Sequence, residues 1–253
     1  MAIEKNFLQL EFGSGLFFDY SKEPKEGYEE HTSTKGNKSY RKYYKEGVSG
    51  VLESVSLYES KFGTQISMNV KDGDNVYYLP VAVLDQGDNV DTYAESLIKL
   101  LPQLNKGDNV KVRGYNFIPK DKQYASIGIS ITVGEEKLKS KLTNAYFKKV
   151  IGADGKETKE FVDGDIPALE WKVNKLGKNK PTAVSQEAKN EYLLDLVKKE
   201  TDRLQWVQGE QASAPQGNSK EETPRNAVPT ATAEQAFEMT EQKVNPDMQE
   251  LPF

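Results

Sequence analysis

The chain has no cysteine, a single histidine and no long apolar run. The first absence removes disulfides, thiolate metal sites and cysteine nucleophiles together. The second leaves His31 without a second histidine with which to hold zinc. The third leaves nothing near the roughly 20 apolar residues that span a bilayer. The opening "MAIEKNFLQLEFGSG" also lacks a basic stretch followed by an apolar one, so neither export nor membrane insertion is expected. Catalytic motifs are equally scarce. "GSG" at Gly13 to Gly15 is followed by no lysine and helix start that would complete a phosphate loop. Asp72 and Asp74 hint at a calcium loop, but its twelfth position is Val83, where a bidentate glutamate is needed. "DGD" at Asp163 to Asp165 reads as a turn, and His31 sits in the polar "EEHTST" with no orienting partner in view. No enzyme activity, no cofactor and no metal are expected. The enzyme alternative is a Mg²⁺-dependent nuclease, for which no acidic cluster falls on a barrel strand facing a cleft.

What is present is a globular composition: 253 residues, 36% hydrophobic and 29% charged, with a net charge of −5. The placement of that charge is informative. From Val207 onward eight acids face three bases, so the tail alone carries −5 and the preceding 206 residues balance at 31 bases and 31 acids. The tail is rich in Gln, Ala, Pro, Ser, Thr and Glu without periodicity of 2 or 3.6, a composition that buries too little apolar area to offset ordering entropy. Residues 207–253 are therefore expected to be a disordered linker ending in an acidic tip, and residues 1–206 the folded domain. A flexible linker of this length reaches roughly 35–40 Å.

Period-2 alternation marks the centre. "VSGVLESVSLYE", "TQISMNV" and "VYYLPVAVL" read as three strands. "VDTYAESLIKLLPQL" then carries Tyr93, Leu97, Leu100, Leu101 and Leu104 at helical spacing, and "GDNVKVRGYNFI" and "YASIGISITV" restore the strand period. Three strands, a helix and two strands within about 46–134 is the order of an OB-fold, a five-stranded Greek-key barrel. The fold class expected is mainly β, with that barrel, an internal helix, an extra hairpin and a C-terminal helix. "GDNV" recurs at Gly73, Gly87 and Gly107 as turn chemistry, not as a structural repeat. The hairpin is placed at "AYFKKVI" and "ETKEFV" about an Asp154-Gly155 turn, with "PALEWKVNKLGKNKP" adding a strand. The helix is placed at about 186–206, packed by Tyr192, Leu193, Leu196, Val197 and Leu204. The first 45 residues read as strand-like "NFLQLEF" followed by a polar, tyrosine-rich loop.

Cations interleaved with aromatics suit single-stranded nucleic acid, which offers phosphates and unstacked bases side by side. "KGNKSYRKYYK" brings Lys38, Tyr40, Arg41, Lys42, Tyr43 and Tyr44 together without an acid; the alternative is a solvated basic loop with its tyrosines lying on the barrel. On the fourth barrel strand, Val110 and Val112 inward put Lys111, Arg113, Tyr115 and Phe117 outward, with Lys120 and Lys122 in the next turn and Tyr124 on the same side. Tyr77 is a further candidate, although one of Tyr77 and Tyr78 must be core. Phe147, Lys148 and Trp171 would extend the path, among the acids Glu157, Glu160, Asp163, Asp165 and Glu170.

The chain ends in "NPDMQELPF". A barrel of this strand order followed by a linker and a tip ending "ELPF" resembles the single-stranded DNA-binding proteins of bacteria and their phages. The segments flanking the barrel are more like phage-encoded members, while Met248 and Gln249 interrupt the denser acidic cluster usual in the bacterial ones. The resemblance implies sequence-tolerant coating and protection of single-stranded DNA in replication, recombination and repair, in the bacterial cytoplasm. It also implies docking of replication and recombination proteins by Leu251, Pro252 and Phe253, with Asp247 and Glu250 steering. It leaves oligomeric state open, a homo-oligomer included. The alternative is an OB-fold protein-interaction module that binds no nucleic acid.

Overall fold

The computed structural model describes residues 3–33, 35–60, 63–151, 156–175 and 177–205. The Asp154-Gly155 turn, the linker and the tip residues Asp247, Glu250, Leu251, Pro252 and Phe253 lie outside these.

The chain is mainly β, with two α-helices among the described residues. The N-terminal segment supplies β1 (Glu4–Phe7), β2 (Gln9–Leu10), β3 (Phe17–Ser21), β4 (Glu29–Thr32) and β5 (Lys38–Tyr43). The centre supplies β6 (Val48–Ser60), β7 (Gly63–Asp72), β8 (Asn75–Ala82), α1 (Thr92–Ile98), a 3₁₀ turn (Leu101–Gln103), β9 (Asn109–Phe117), β10 (Ser126–Val133) and β11 (Glu136–Lys137). Two hairpins follow, β12 (Tyr146–Ile151) with β13 (Glu157–Val162) and β14 (Trp171–Val173) with β15 (Asn179–Pro181), and then α2 (Ala183–Leu204).

The central alternation is borne out. Ile66, Met68 and Val70 on β7 face the core with Leu79 and Val81 on β8, Val110 and Val112 on β9, and Ile129 and Ile131 on β10. Each such side chain contributes about 1.5–3 kcal/mol by leaving water. The 13-residue β6 pairs β9 over Val48–Val51 and β7 over Val51–Ser60, with a register shift between Leu52 and Ser54. A bulge bends a strand in this way, which lets β6 serve both halves of the sheet.

The helix expected over 90–104 is shorter than its periodicity suggests. Asp91 caps α1 by accepting from the Tyr93 amide at 2.8 Å, and the chain tightens into the 3₁₀ turn where Pro102 has no amide to donate. Tyr93, Leu97, Leu100, Leu101 and Leu104 are all buried, as the spacing requires.

The closed barrel is not formed. The seven-stranded sheet runs β1-β8-β7-β6-β9-β10-β11, and β8 does not pair with β10 among the described residues. The free edges are covered by other groups. β1 adds in parallel to β8, Glu4 to Phe7 opposite Asn75 to Tyr78. On β10, the Ile129 amide donates to Ser96 Oγ of α1 at 2.6 Å, and Leu138 N donates to the Ile131 carbonyl at 2.9 Å. Satisfying edge amides in this way removes the need for closure.

The first 45 residues are likewise not a strand and a loop. They form β1 and a four-stranded sheet of order β2-β3-β5-β4, and the basic run expected as a loop is β5 itself. Leu8 and Phe17 enter the main core, and the Phe12 carbonyl accepts from Tyr93 Oη at 2.7 Å and Asn116 Nδ2 at 3.1 Å. The C-terminal helix starts at Ala183, because Thr182 and not Ser185 is its cap: Thr182 Oγ1 accepts from the Ser185 amide. Leu193, Val197 and Leu204 are buried. Lys189 meets Glu95 at 2.8 Å, and Arg203 donates to the Leu101 and Leu104 carbonyls at 2.9 and 2.8 Å. The helix is therefore fastened to the body at both ends. No helix among the described residues is long and apolar enough to cross a membrane.

Candidate nucleic-acid interface

β9 presents the row that its period predicts. Lys111, Arg113 and Phe117 are exposed and Tyr115 is half-buried, while Val110, Val112 and Gly114 are buried between them. Across the pairing, Lys111 lies opposite Thr132, Arg113 opposite Ser130, Tyr115 opposite Gly128 and Phe117 opposite Ser126. These partners are small and polar, so the long side chains of β9 dominate the face. Gly128 is a close-approach position: a Cβ there would come within 2.7 Å of Tyr115 Oη and 2.8 Å of Ser96 Oγ. The missing side chain lets the Tyr115 ring reach across β10 toward α1. Its ring centroid is 6.0 Å from that of Phe117.

The β9–β10 loop continues the surface. Phe117 is 55% exposed, Ile118 66% and Tyr124 54%, with Lys120 and Lys122 exposed beside them. Among the described residues Arg113, Lys120 and Lys122 have no carboxylate within ion-pair distance, whereas Lys111 lies 3.9 Å from Glu46. Large apolar groups left in water beside unpaired cations form a surface suited to stacking bases while neutralising phosphates.

The basic run on β5 is different. Arg41 is buried, its side chain 7% exposed; its Nη1 donates to Glu11 Oε1 at 2.8 Å, and its guanidinium lies 4.6 Å from the Phe18 ring centroid. Tyr43 Oη donates to the same carboxylate at 3.0 Å. Burial raises the Tyr43 pKa, and the hydrogen bond with Arg41 opposes that rise. Lys38 pairs with Glu30 at 3.0 Å and Lys45 with Glu29 at 3.6 Å. Tyr44 meets Tyr77 edge-on at 5.7 Å, and burial lifts its hydroxyl to about 12. Lys42, which lies over the Tyr44 ring, is exposed and Tyr40 is half-buried. Arg41 and Tyr43 are thus engaged by Glu11, remote in sequence, Lys38 and Lys45 by the β4 acids Glu30 and Glu29, and Tyr44 by its packing on Tyr77.

Of the adjacent Tyr77 and Tyr78, Tyr77 is the one on the core side. It packs against the core, and its neighbour Tyr78 faces outward, stacked on exposed Phe7 at 4.6 Å with the rings 13° from parallel. Lys71 and Asn69 lie along the same outer side, Asn69 opposite Tyr78 in the register. Sequence reasoning missed this platform because Phe7 reaches Tyr78 through a pairing of strands about seventy residues apart. The doublet "YY" was its only local signal.

Phe147, Lys148 and Trp171 lie on the two late hairpins, all exposed. Phe147 pairs across the hairpin with Phe161 at 5.4 Å, and Lys148 stands opposite Glu160. "DGD" lies in the irregular, bent connection after β13: Asp163 Oδ1 accepts from the Gly164 amide, and Asp165 Oδ2 accepts from Thr143 N and Oγ1 at 2.8 and 3.0 Å. Those bonds hold the Asp165 carboxyl below the usual range. No group of three potential ligands gathers among the described residues to hold a metal.

No protein-family model, curated protein or solved structure matches this chain.

Proposed function

We propose that the chain is a sequence-tolerant single-stranded DNA-binding protein built on an OB-type strand order, with the outer face of β9–β10 as its principal contact. One observation carries the reading: among the described residues Arg113, Lys120 and Lys122 have no carboxylate partner and stand beside the exposed rings of Phe117 and Tyr124 and the half-buried ring of Tyr115. The pairings β6–β7, β7–β8, β6–β9 and β9–β10, with a helix between the third and fourth of these five strands, support the OB-type reading as a partly open barrel. The stacked pair Phe7 and Tyr78 offers a further base platform on the other arm of the ladder. In this reading Leu251, Pro252 and Phe253 dock replication or recombination proteins, and Asp247 and Glu250 compete weakly with DNA for basic groups until DNA displaces them. The bacterial cytoplasm, and a phage origin of the chain, belong to the same proposal.

A protein-recognition module is the second reading, favoured by the inward packing of Tyr44, Tyr77 and Tyr93. The two separate in a fluorescence-anisotropy titration of labelled oligo-dT and a matched duplex at low and moderate salt. Tight binding to dT that weakens steeply with salt, with little binding to duplex, supports the proposal. No binding to either oligonucleotide overturns it in favour of protein recognition.

A further inference from the structure

Between the base of the β12–β13 hairpin and the first turn of α2 lies an open groove of about 400 Å³. Its apolar lining includes Phe147, Phe161 and Val184, and its polar lining is Asp163, Asp165, Glu170 and Ser185. No lysine or arginine lines it, and none of the three carboxylates has a basic partner among the described residues. A phosphate backbone would be repelled here. Val184 is 78% exposed and Phe161 more than half exposed, although a two-stranded hairpin is marginal in water by itself. The groove suits an occupant that carries large apolar side chains flanked by cations.

The β9–β10 loop has that chemistry. It offers Phe117, Ile118 and Tyr124, each more than half exposed, with Lys120 and Lys122 on either side of Asp121 and unpaired among the described residues. A groove of this size falls at the small end of ligand-sized cavities, roughly 300–1,000 Å³, and holds two or three large side chains. The loop is exposed and the groove open within a single chain, so a loop that fills the groove comes from a second copy. We propose that this groove receives the β9–β10 loop of another copy of the chain. The contact joins two different surfaces and is therefore heterologous: each copy keeps a free loop at one end and a free groove at the other, and association propagates unless a ring closes. An interface of one loop is small, so the association is weak and concentration-dependent, and its opposed charges make it salt-sensitive. The contact does not require nucleic-acid binding, but a single strand bound to the loop would compete with it.

Sedimentation velocity of the full chain over a wide concentration range at low salt tests this. The weight-average sedimentation coefficient is expected to rise with concentration. Glu170→Lys with Val184→Lys, and separately Lys120→Glu with Lys122→Glu, are each expected to abolish that rise. All four side chains are exposed, and unchanged melting curves verify that the variants fold. An equimolar mixture of the two variants is expected to regain association as pairs, because the unaltered loop of the groove variant then meets the unaltered groove of the loop variant. A chain that stays monomeric throughout overturns the proposal, as does association that survives both charge reversals or fails to return in the mixture. Added oligo-dT is expected to disperse the assembly. If dT binds nowhere, the nucleic-acid reading fails while the self-association result stands. If dT protects the groove residues themselves from modification, the groove belongs to a strand path and this proposal falls.

Discussion

The pair Arg41 and Glu11 gives an asymmetric prediction. Arg41 is 7% exposed and Glu11 25%, at 2.8 Å, and Arg41 Nε has no hydrogen-bond partner among the described residues. Removing one member of a buried pair costs about 3–5 kcal/mol, because it strands the other charge. Glu11→Leu strands the more deeply buried group, so we expect a loss of about 4 kcal/mol. Arg41→Met strands a carboxylate that keeps a quarter of its exposure and still accepts from Tyr43 Oη, so about 2 kcal/mol is expected. At roughly 2–4 °C per kcal/mol for a domain of this size, melting temperature falls by about 8–16 °C and about 4–8 °C respectively. The double variant leaves no stranded charge and is expected to lose less than the sum. Thermal melts followed by circular dichroism near neutral pH supply all four corners of the cycle. Arg41→Met costing as much as Glu11→Leu, or strict additivity, would refute the reasoning. The salt dependence of dT binding should be unchanged by Arg41→Met once the variant is folded.

Other expectations concern the interface, α2 and the tip. Phe117→Ala removes a stacking ring with little structural role, so dT affinity drops by about 1–3 kcal/mol, roughly 5- to 150-fold, in an anisotropy titration, while the melting curve stays put. Arg113→Ala should lower the slope of log K against log salt by about 0.7, the single-strand value for one phosphate contact. Burial raises the Glu95 carboxyl, but hydrogen bonds and charges from Lys189 and Lys99 outweigh it and leave Glu95 below the ordinary glutamate range. A depressed folded pKa gives stability that is present above the unfolded value and lost as pH falls through the folded one. Lys189→Met should therefore destabilise at neutral pH and much less in strong acid; an equal deficit in urea titrations at both pH values would count against the pairing. Deleting residues 247–253 should leave dT affinity equal or higher and abolish capture of replication proteins, and a large affinity loss on truncation contradicts that role.

Much of the centre was legible because local period and burial coincide there. Ile66, Met68 and Val70, or Val110 and Val112, reach the core together on one face of a strand, and Tyr93 and Leu97 do so on one face of α1. The outward row of β9 followed from the same alternation. Long-range pairing was not legible. Nothing near Glu4–Phe7 says that it will lie parallel to β8, and nothing near Arg41 says that Glu11, thirty residues away, will neutralise it. An acid-free basic run looks available to phosphate only until its remote partners are known. Barrel closure was overcalled for a related reason: the strand order fixes which strands neighbour one another, whereas the closing edge was taken by β1 and by the Ser96 hydroxyl.

The most direct measurement is photo-crosslinking of an oligo-dT carrying 5-iodouracil to the full chain, followed by peptide mapping. The account predicts single-strand-dependent adducts on Tyr115, Phe117 and Tyr124, lost at high salt. Adducts confined to Lys38 through Tyr44, or none that depend on single-stranded DNA, would contradict it.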